Sequence, residues 1–191
     1  MKKVVKFGGS SLADAGQFKK VGDIIRADEN RVFVVPSAPG KRNSKDTKVT
    51  DMLIQTYEAA LSGADVTENL SAIKARYDEI IEGLELKGFS LDDDFKQIAS
   101  DIKEDLSLDY LASRGEYLNG KIMAKYLGFD FIDAKDVIFF NEEGQLNSYK
   151  TEKTMRKTLE EHPHAVIPGF YGCGKDGRVK TFSRGGSDVT G

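Results

Sequence analysis

The sequence predicts an α/β fold, a three-layer α/β/α sandwich in which a mainly parallel sheet lies between helices. Short apolar runs alternate along the chain with longer segments whose apolar residues recur at helical spacing. The run Arg31–Pro36 is apolar almost throughout and rich in valine, as is typical of a strand buried on both faces of a parallel sheet. Glycine-containing turns follow several of these runs, and ligands bind there in open parallel sheets.

The composition indicates one domain without a general affinity for polyanions. At 191 residues the chain is long enough for one sizeable core. Its 28 basic and 31 acidic residues are mixed and give a formal net charge of −3. We therefore expect no nucleic-acid partner and no membrane surface. The single cysteine, Cys173, and the lack of a long apolar segment or a signal-like start predict a cytoplasmic location.

The first strand and helix enclose the most informative turn. Residues 4–7 predict the strand, and a helix is predicted to begin near Ala13 because Phe18, Val21 and Ile25 follow at helical spacing. Between them, Gly8 and Gly9 allow the backbone to approach a ligand, and a helix N-terminus behind the turn would present N–H groups to phosphate. Lys6 is placed to reach the same phosphate. An ordinary glycine turn beside a surface lysine is the alternative.

A second turn, at residues 37–40, follows the second strand and is expected at the same edge of the sheet. Four basic residues then fall within residues 41–48. A solvated loop explains them better than a nucleic-acid surface because no aromatic residues interleave, and steering of an anionic substrate stays open. Thr50 or Asp51 is expected to cap the next helix, a role compatible with ligand contact.

A helical subregion is predicted from about residue 62 to residue 127. Apolar residues at helical spacing form one face between residues 66 and 80 and another between residues 95 and 102. Asp92, Asp93 and Asp94 precede the second face. Consecutive carboxylates at that point favour the N-terminus of a helix over a metal site, and we predict no metal site in the protein.

The next predicted helix covers residues 108–126, with Gly128 as its end. Arg114, Gly115 and Glu116 interrupt its apolar face. Glycine lowers helix stability by roughly 1 kcal/mol relative to alanine, so Gly115 indicates close approach of a backbone or a ligand. Glu116 would then accept a substrate ammonium group, and an Arg–Glu pair on the helix surface is an equally good interpretation.

The last part of the chain predicts three strands, a hairpin-type turn and a polar helix. The strands are placed at residues 129–132, 137–140 and 164–169, the hairpin-type turn at 141–144 and the helix at 151–161. Residues 169–175 fit Gly-x4-Gly-Lys, but Asp176 stands where a P-loop needs a hydroxyl, so we interpret them as a turn. His162 and His164, with Cys173 nearby, are interpreted as the end of a helix and the start of a strand rather than as metal ligands.

Four motifs in order resemble those of aspartate kinases of the amino acid kinase family. They are Lys-Phe-Gly-Gly-Ser at residues 6–10, Ser-Ala-x-Gly at 37–40, Arg-Gly-Glu at 114–116 and a Gly-Arg-Gly-Gly-Ser-Asp-like segment at 183–188. Ser183 stands where that family usually has glycine. The resemblance covers essentially the whole chain and implies the three-layer fold of carbamate kinase-like proteins.

The resemblance implies ATP-dependent phosphorylation of the side-chain carboxylate of L-aspartate, with Mg²⁺, in lysine, threonine and methionine biosynthesis. Such transfer depends on positioning and on neutralisation of charge. Lys6 would neutralise the β- and γ-phosphates, and Asp188 would orient Lys6, organise magnesium or cap a following helix. The implied phosphate-binding residues are Lys6, Gly8, Gly9 and Ser10. The implied substrate-binding residues are Ser37, Thr50, Glu116, Arg184, Gly185, Gly186 and Ser187, with Arg184 on the α-carboxylate and Glu116 on the α-ammonium group.

Kinases of this kind continue beyond the position of Gly191. We therefore expect residues 1–191 to be the N-terminal part of an amino acid kinase domain, without its nucleotide-binding half and its C-terminal regulatory modules. This chain alone is then expected to be inactive and to self-associate as a homo-oligomer. Two other functions stay open at this point: an amino acid kinase with another acceptor, and a non-catalytic fragment that binds substrate.

Overall fold

Four parallel strands form the central sheet, in the order β1-β2-β4-β3. The computed structural model describes residues 1–182 of the chain. The strands are β1 (Lys3–Phe7), β2 (Arg31–Pro36), β3 (Asp130–Phe131) and β4 (Ala165–Val166). Parallel neighbours need crossover connections, and the helices supply them. The first, second, third and last strands expected from the sequence are thus confirmed, the latter two in shorter form.

The helices cover the two faces of this sheet. They are α1 (Ala15–Arg26), α2 (Val49–Leu61), α3 (Thr67–Gly83), α4 (Asp92–Glu104), α5 (Leu108–Leu127), α6 (Ala134–Val137) and α7 (Ser148–Glu161). Side chains alternate across each strand, so neighbouring residues enter different cores. Val34 and Val166 pack in the core that contains α1 to α5, whereas Phe33 and Ala165 pack in the core on the side of α6 and α7. The predicted three-layer α/β sandwich is confirmed.

Local signals placed the helical subregion correctly. Asp92, Asp93 and Asp94 form the first turn of α4, where carboxylates favour the helix dipole. Lys74 and Lys121 reach two of them at 2.8 and 2.7 Å. Gly128 ends α5 with a φ of 73°, a conformation that glycine adopts without strain.

Three expected elements differ in the structure. The helix after the first glycine turn begins at Ala15 with Asp14 as its N-cap, because a separate 3-10 turn (Gly9–Leu12) intervenes. The predicted strand at 137–140 is wrong: Asp133 caps the short helix α6 there, and Phe139 and Phe140 make only isolated bridges.

The third difference concerns residues 169–175, which were interpreted as a turn. They contain β5 (Tyr171–Cys173), which pairs with β6 (Val179–Thr181) in an antiparallel hairpin. Gly177, with a φ of 80°, lies in the connection. The hairpin-type turn at 141–144 is confirmed by the backbone hydrogen bond from Asn141 N–H to Gln145 O at 2.8 Å. Within residues 1–182, no helix is long and apolar enough to cross a membrane.

Burial of α3 against α5 and α1 predicts a large stability effect at one position. Ile73→Ala should lower the free energy of unfolding by roughly 2–5 kcal/mol, because Ile73 is fully buried and its removal leaves a cavity. The control is Ile24→Ala, which removes the same atoms from a side chain that is 47% exposed and should cost about 0.5 kcal/mol or less. Urea unfolding followed by circular dichroism measures both, and equal losses would contradict the packing described.

Candidate active site

The two glycine turns lie against each other at the carboxyl ends of β1 and β2. Gly40 N–H donates a hydrogen bond to Gly9 O at 2.8 Å, and Ser37 N–H donates one to Phe7 O at 3.0 Å. A Cβ atom added to Gly40 would lie 2.6 Å from the backbone carbon of Gly9, and one added to Gly9 would lie 2.8 Å from Ala38 O. Real side chains do not tolerate such distances, so this contact requires glycine at both positions.

Gly8 differs from its neighbour. A Cβ atom added there would meet nothing within 4 Å. Its backbone φ of −77° is available to any residue, so conformation does not explain glycine at this position. The open space beside Gly8 is therefore compatible with close approach of a ligand to the backbone.

A cavity of about 440 Å³ opens where the turns meet α2 and α5. Its lining residues are Gly9, Ser10, Ser37, Ala38, Pro39, Gly40, Lys41, Lys48, Thr50 and Glu116. Five residues predicted for the site from separate parts of the sequence thus line one cavity: Gly9, Ser10, Ser37, Thr50 and Glu116. Lys6 lies on β1, beside Val35 of β2, immediately before the turn. The parallel pairing of β1 with β2 is what brings the two turns together.

Glu116 is buried at the wall of this cavity, with only 7% of its surface exposed. The interpretation as a surface Arg–Glu pair is therefore wrong. The close approach that Gly115 predicted is confirmed, because a Cβ atom there would lie 2.8 Å from the Ala38 side chain. The hydroxyl of Tyr77 donates to Gly115 O at 2.8 Å and fixes this turn of α5.

Burial dominates the electrostatics of Glu116. It raises the pKa of the carboxyl from 4.5 to about 8, and the backbone N–H groups of Ala38 and Glu116 and the charge of Arg114 offset only part of the rise. Its Oε2 atom has no hydrogen-bond partner among the described residues. A buried acceptor without a partner is unfavourable, so an ammonium group that enters the cavity would restore a favourable interaction.

Arg114 points away from this cavity. Its guanidinium carbon lies 4.2 Å from the ring centroid of Tyr117 and 4.6 Å from that of Tyr110, and the hydroxyl of Ser113 accepts its hydrogen bonds. Arg114 and Glu116 are two residues apart, which places them on opposite sides of a helix. Only the glutamate of the Arg-Gly-Glu motif therefore lines the cavity.

The start of α2 also differs from expectation. Lys48 is the N-cap, without a side-chain hydrogen bond, so neither Thr50 nor Asp51 has that role. The N–H group of Val49 instead donates to Pro39 O at 3.2 Å, and the second glycine turn thereby sets where the helix begins. Thr50 lies in the first turn of α2 and lines the cavity.

The basic loop is partly ordered by ion pairs. Arg42 contacts Asp46 at 2.9 Å and Glu79 at 2.6 Å. Lys41 and Lys48 line the cavity instead. Two cations at the rim would attract an anionic substrate, so steering by this loop stays a prediction.

Sequence reasoning missed three buried polar residues around the cavity. Asn119, one turn after Glu116 on α5, donates from Nδ2 to Ser37 O at 2.7 Å. Arg76 of α3 bonds to backbone carbonyls of the surrounding loops, and Tyr77 of α3 bonds to Gly115 O within α5. In the sequence, each of these residues is only a polar group within an otherwise apolar helical face. Such a residue indicates a role at a site only when its hydrogen-bond partners are known.

Several predicted residues lie outside the part that the structure describes. They are Arg184, Gly185, Gly186, Ser187 and Asp188. Within residues 1–182, no group of three or more His, Cys, Asp or Glu side chains is arranged to hold a metal ion. His162 contacts Asp130 at 2.9 Å, and the ring of His164 lies 5.1 Å from that of Phe129, so both have other contacts.

The fold and the cavity define an α/β protein with a cavity of small-molecule size at the carboxyl edge of a parallel sheet. Comparison with known proteins assigns it more narrowly: the chain belongs to the amino acid kinase family, whose model matches residues 1–191.

Relatives and solved structures of aspartate kinases are similar to this chain. Aspartokinase 3 of Bacillus subtilis is 39% identical over 99% of the chain and 44% of its own length. The crystal structure of Clostridium acetobutylicum aspartate kinase is 48% identical, with a TM-score of 0.95 over 100% of this chain and 44% of its own. Escherichia coli aspartokinase III, solved with lysine and aspartate, is 25% identical, with a TM-score of 0.81 over 98% of this chain and 45% of its own. The chain thus spans less than half the length of these relatives.

The raised pKa of Glu116 predicts an unusual dependence of stability on pH. The carboxyl would ionise near 4.5 in the unfolded chain and near 8 in the folded one. Between these values the folded state holds a proton that the unfolded state has lost, so stability falls as pH rises, by up to roughly 1.4 kcal/mol per pH unit. Glu116→Gln should remove this contribution. Urea unfolding at pH 5, 6.5 and 8 measures it, with exposed Glu160→Gln as the control. A constant stability difference between Glu116→Gln and the unmodified chain would contradict the prediction.

Proposed function

We propose that this chain forms the acceptor-binding part of an aspartate kinase, which transfers the γ-phosphoryl group of ATP to the side-chain carboxylate of L-aspartate. The observation that carries the proposal is one cavity in which two glycine turns face a buried carboxylate. The turns suit a phosphate and the carboxylate suits an ammonium group. A single ligand environment thus offers both parts that phosphorylation of an amino acid requires.

Recognition of the amino group would come from Glu116. Its carboxyl is buried, and its Oε2 atom has no partner among the described residues. An ammonium group beside it would favour the ionised form and pair with it in a site from which water is largely excluded. A substrate without an ammonium group would leave this carboxyl protonated and would form no ion pair with it, which disfavours acceptors such as carbamate. The relatives reported above are aspartate kinases and support the same choice.

The phosphate would be held at the first glycine turn. In this proposal Gly8, Gly9 and Ser10 hold the transferring group, and Lys6 neutralises charge on the β- and γ-phosphates. The space beside Gly8 leaves room for phosphate oxygens next to the backbone. Orientation of Lys6 by Asp188 is part of the proposal, since a carboxylate directly against phosphate would repel it.

The acceptor carboxylate would lie between the two turns. Ser37 and Thr50 line the cavity there and would contact the reacting end of aspartate. Arg184 would bind the α-carboxylate in a bidentate manner, beside Gly185, Gly186 and Ser187. A side-chain oxygen of aspartate would then attack the γ-phosphorus while the bond to the β-phosphate oxygen breaks, which gives 4-phospho-L-aspartate and ADP.

Magnesium fits this arrangement as an ion that arrives with ATP. Mg²⁺ is usually bound through substrate phosphates and one or two carboxylates rather than by a protein cage. When bound, Mg²⁺ would supply positive charge that neutralises part of the phosphate charge, in addition to that supplied by Lys6.

A chimeric enzyme tests the proposed activity. Residues 1–191 would replace the matching segment of the Clostridium acetobutylicum aspartate kinase, which is 48% identical and of the same fold. With ATP, Mg²⁺ and L-aspartate, the chimera should form an acyl phosphate that hydroxylamine traps as a hydroxamate.

Lys6→Ala in the chimera should lower turnover by roughly 100-fold or more, since it removes charge from the transition state. Lys157→Ala, at an exposed position of α7, is the matched control. A folded chimera that makes no hydroxamate, or an active Lys6→Ala variant, would contradict the respective assignment.

Substrate recognition by Glu116 makes a separate prediction. Glu116→Gln in the chimera should raise the KM for aspartate at least tenfold and leave the KM for ATP within about twofold, because the amide cannot pair with an ammonium group as a carboxylate does. Initial-rate measurements with each substrate varied distinguish the two constants. Exposed Glu160→Gln controls for loss of a surface charge. Equal changes in both constants would show that Glu116 acts on the site as a whole and not on the amino acid.

A further inference from the structure

Two adjacent residues of α3 bond to backbone carbonyls of segments around the cavity. Arg76 donates to the backbone carbonyls of Gly40 at 3.0 Å, Thr47 at 3.0 Å and Ala13 at 3.4 Å. The hydroxyl of Tyr77 donates to Gly115 O at 2.8 Å. The four carbonyls belong to the second glycine turn, the approach to α2, the segment after the first turn and the residue before Glu116.

Neither side chain lines the cavity. Arg76 is 5% exposed and Tyr77 is fully buried, so both act from behind the walls. Arg76 also pairs with Asp46 at 3.1 Å, and its Nε atom has no hydrogen-bond partner among the described residues. A planar guanidinium presents five N–H donors on three nitrogen atoms and so reaches acceptors that lie further apart than those within range of the single ammonium nitrogen of lysine.

The contacts of Arg76 show that it does more than order the basic loop at residues 41–48. Asp46 is held from the solvent side by Arg42, which also contacts Glu79. Only Arg76 among these residues continues inward to the carbonyls of Gly40 and Ala13. The loop would therefore keep an ion pair without Arg76, whereas Gly40 of the second turn and Ala13, which follows the first turn, would lose the cation that joins them.

We propose that Arg76 and Tyr77 are positioning residues that fix the first glycine turn relative to Glu116. This inference rests on the proposed function, in which that turn holds the phosphate and Glu116 holds the amino acid. The distance between donor and acceptor decides the rate of phosphoryl transfer, and a displacement of about 1 Å can cost roughly 100-fold. The helical subregion then has a direct part in the reaction geometry.

The two residues are expected to have different kinetic signatures. Arg76 bonds to Gly40 of the second turn, whose N–H bonds to Gly9 O, and to Ala13 after the first turn, so Arg76→Lys in the chimera should lower kcat at least tenfold and raise the KM for both substrates. Tyr77 reaches only the residue before Glu116, so Tyr77→Phe should raise the KM for aspartate severalfold and leave the KM for ATP unchanged. A merely structural role of Tyr77 would not change the KM for aspartate while it leaves the KM for ATP unchanged.

Amide hydrogen exchange on residues 1–191 tests the geometry without catalysis. In Arg76→Lys, protection of the Gly40 N–H, which bonds to Gly9 O, should fall at least tenfold. Protection of the Ile167 N–H, which bonds to Val34 O in the sheet, should not change. Arg42→Lys is the matched control, because Arg42 contacts the same Asp46. Tyr110→Phe controls for removal of a tyrosine hydroxyl, since that hydroxyl bonds to Asp101 away from the cavity.

The outcomes separate the two proposals. Equal loss of protection at Gly40 and Ile167, or the same loss in Arg42→Lys, would overturn the positioning role. Unchanged Michaelis constants in an active chimera that carries Tyr77→Phe would overturn it for Tyr77. A chimera without kinase activity would refute the proposed function, while the exchange comparison would still decide whether Arg76 holds the two turns together.

Discussion

The candidate site depends on one backbone contact, that between Gly9 and Gly40. Two parallel neighbouring strands deliver their following turns to the same edge of the sheet, and there the turns share a hydrogen bond. A side chain at either position would collide with backbone. Because both turns contribute walls to the cavity, their separation sets its width. The pairing of β1 with β2 directs the two turns toward each other. The lack of side chains at Gly9 and Gly40 allows their backbones to come into contact.

Close packing that depends on a glycine also explains the electrostatics of Glu116. Gly115 lets α5 approach the side chain of Ala38, and this contact buries Glu116 at the cavity wall. Exclusion of water then raises the pKa of its carboxyl and strengthens any interaction with a ligand cation. In the proposed function, the packing that buries Glu116 therefore also prepares it to recognise a ligand. A looser contact would leave an ordinary solvated glutamate with little selectivity for an amine.

The helices outside the sheet act on the site through hydrogen bonds to backbone carbonyls. Arg76 on α3 and Asn119 on α5 each donate to a carbonyl of a loop that follows a strand, and Tyr77 on α3 donates to Gly115 O within α5. These donors give directional bonds in a buried setting, where an unsatisfied carbonyl would be costly. They join a site drawn from distant parts of the chain into one rigid unit. For a phosphoryl transfer enzyme, such rigidity matters because catalysis depends chiefly on positioning.

The sequence by itself determined the alternation of strands and helices, the two glycine turns and the extent of α5, because hydrophobic spacing, glycine and capping residues act locally. The sequence also predicted that Glu116 binds the substrate. Only the tertiary structure decided that this glutamate is buried whereas Arg114 turns to the opposite side, that Val137 ends a helix, and that Arg76 faces inward. Each of these outcomes depends on which distant segment packs against the residue, and local spacing does not carry that information.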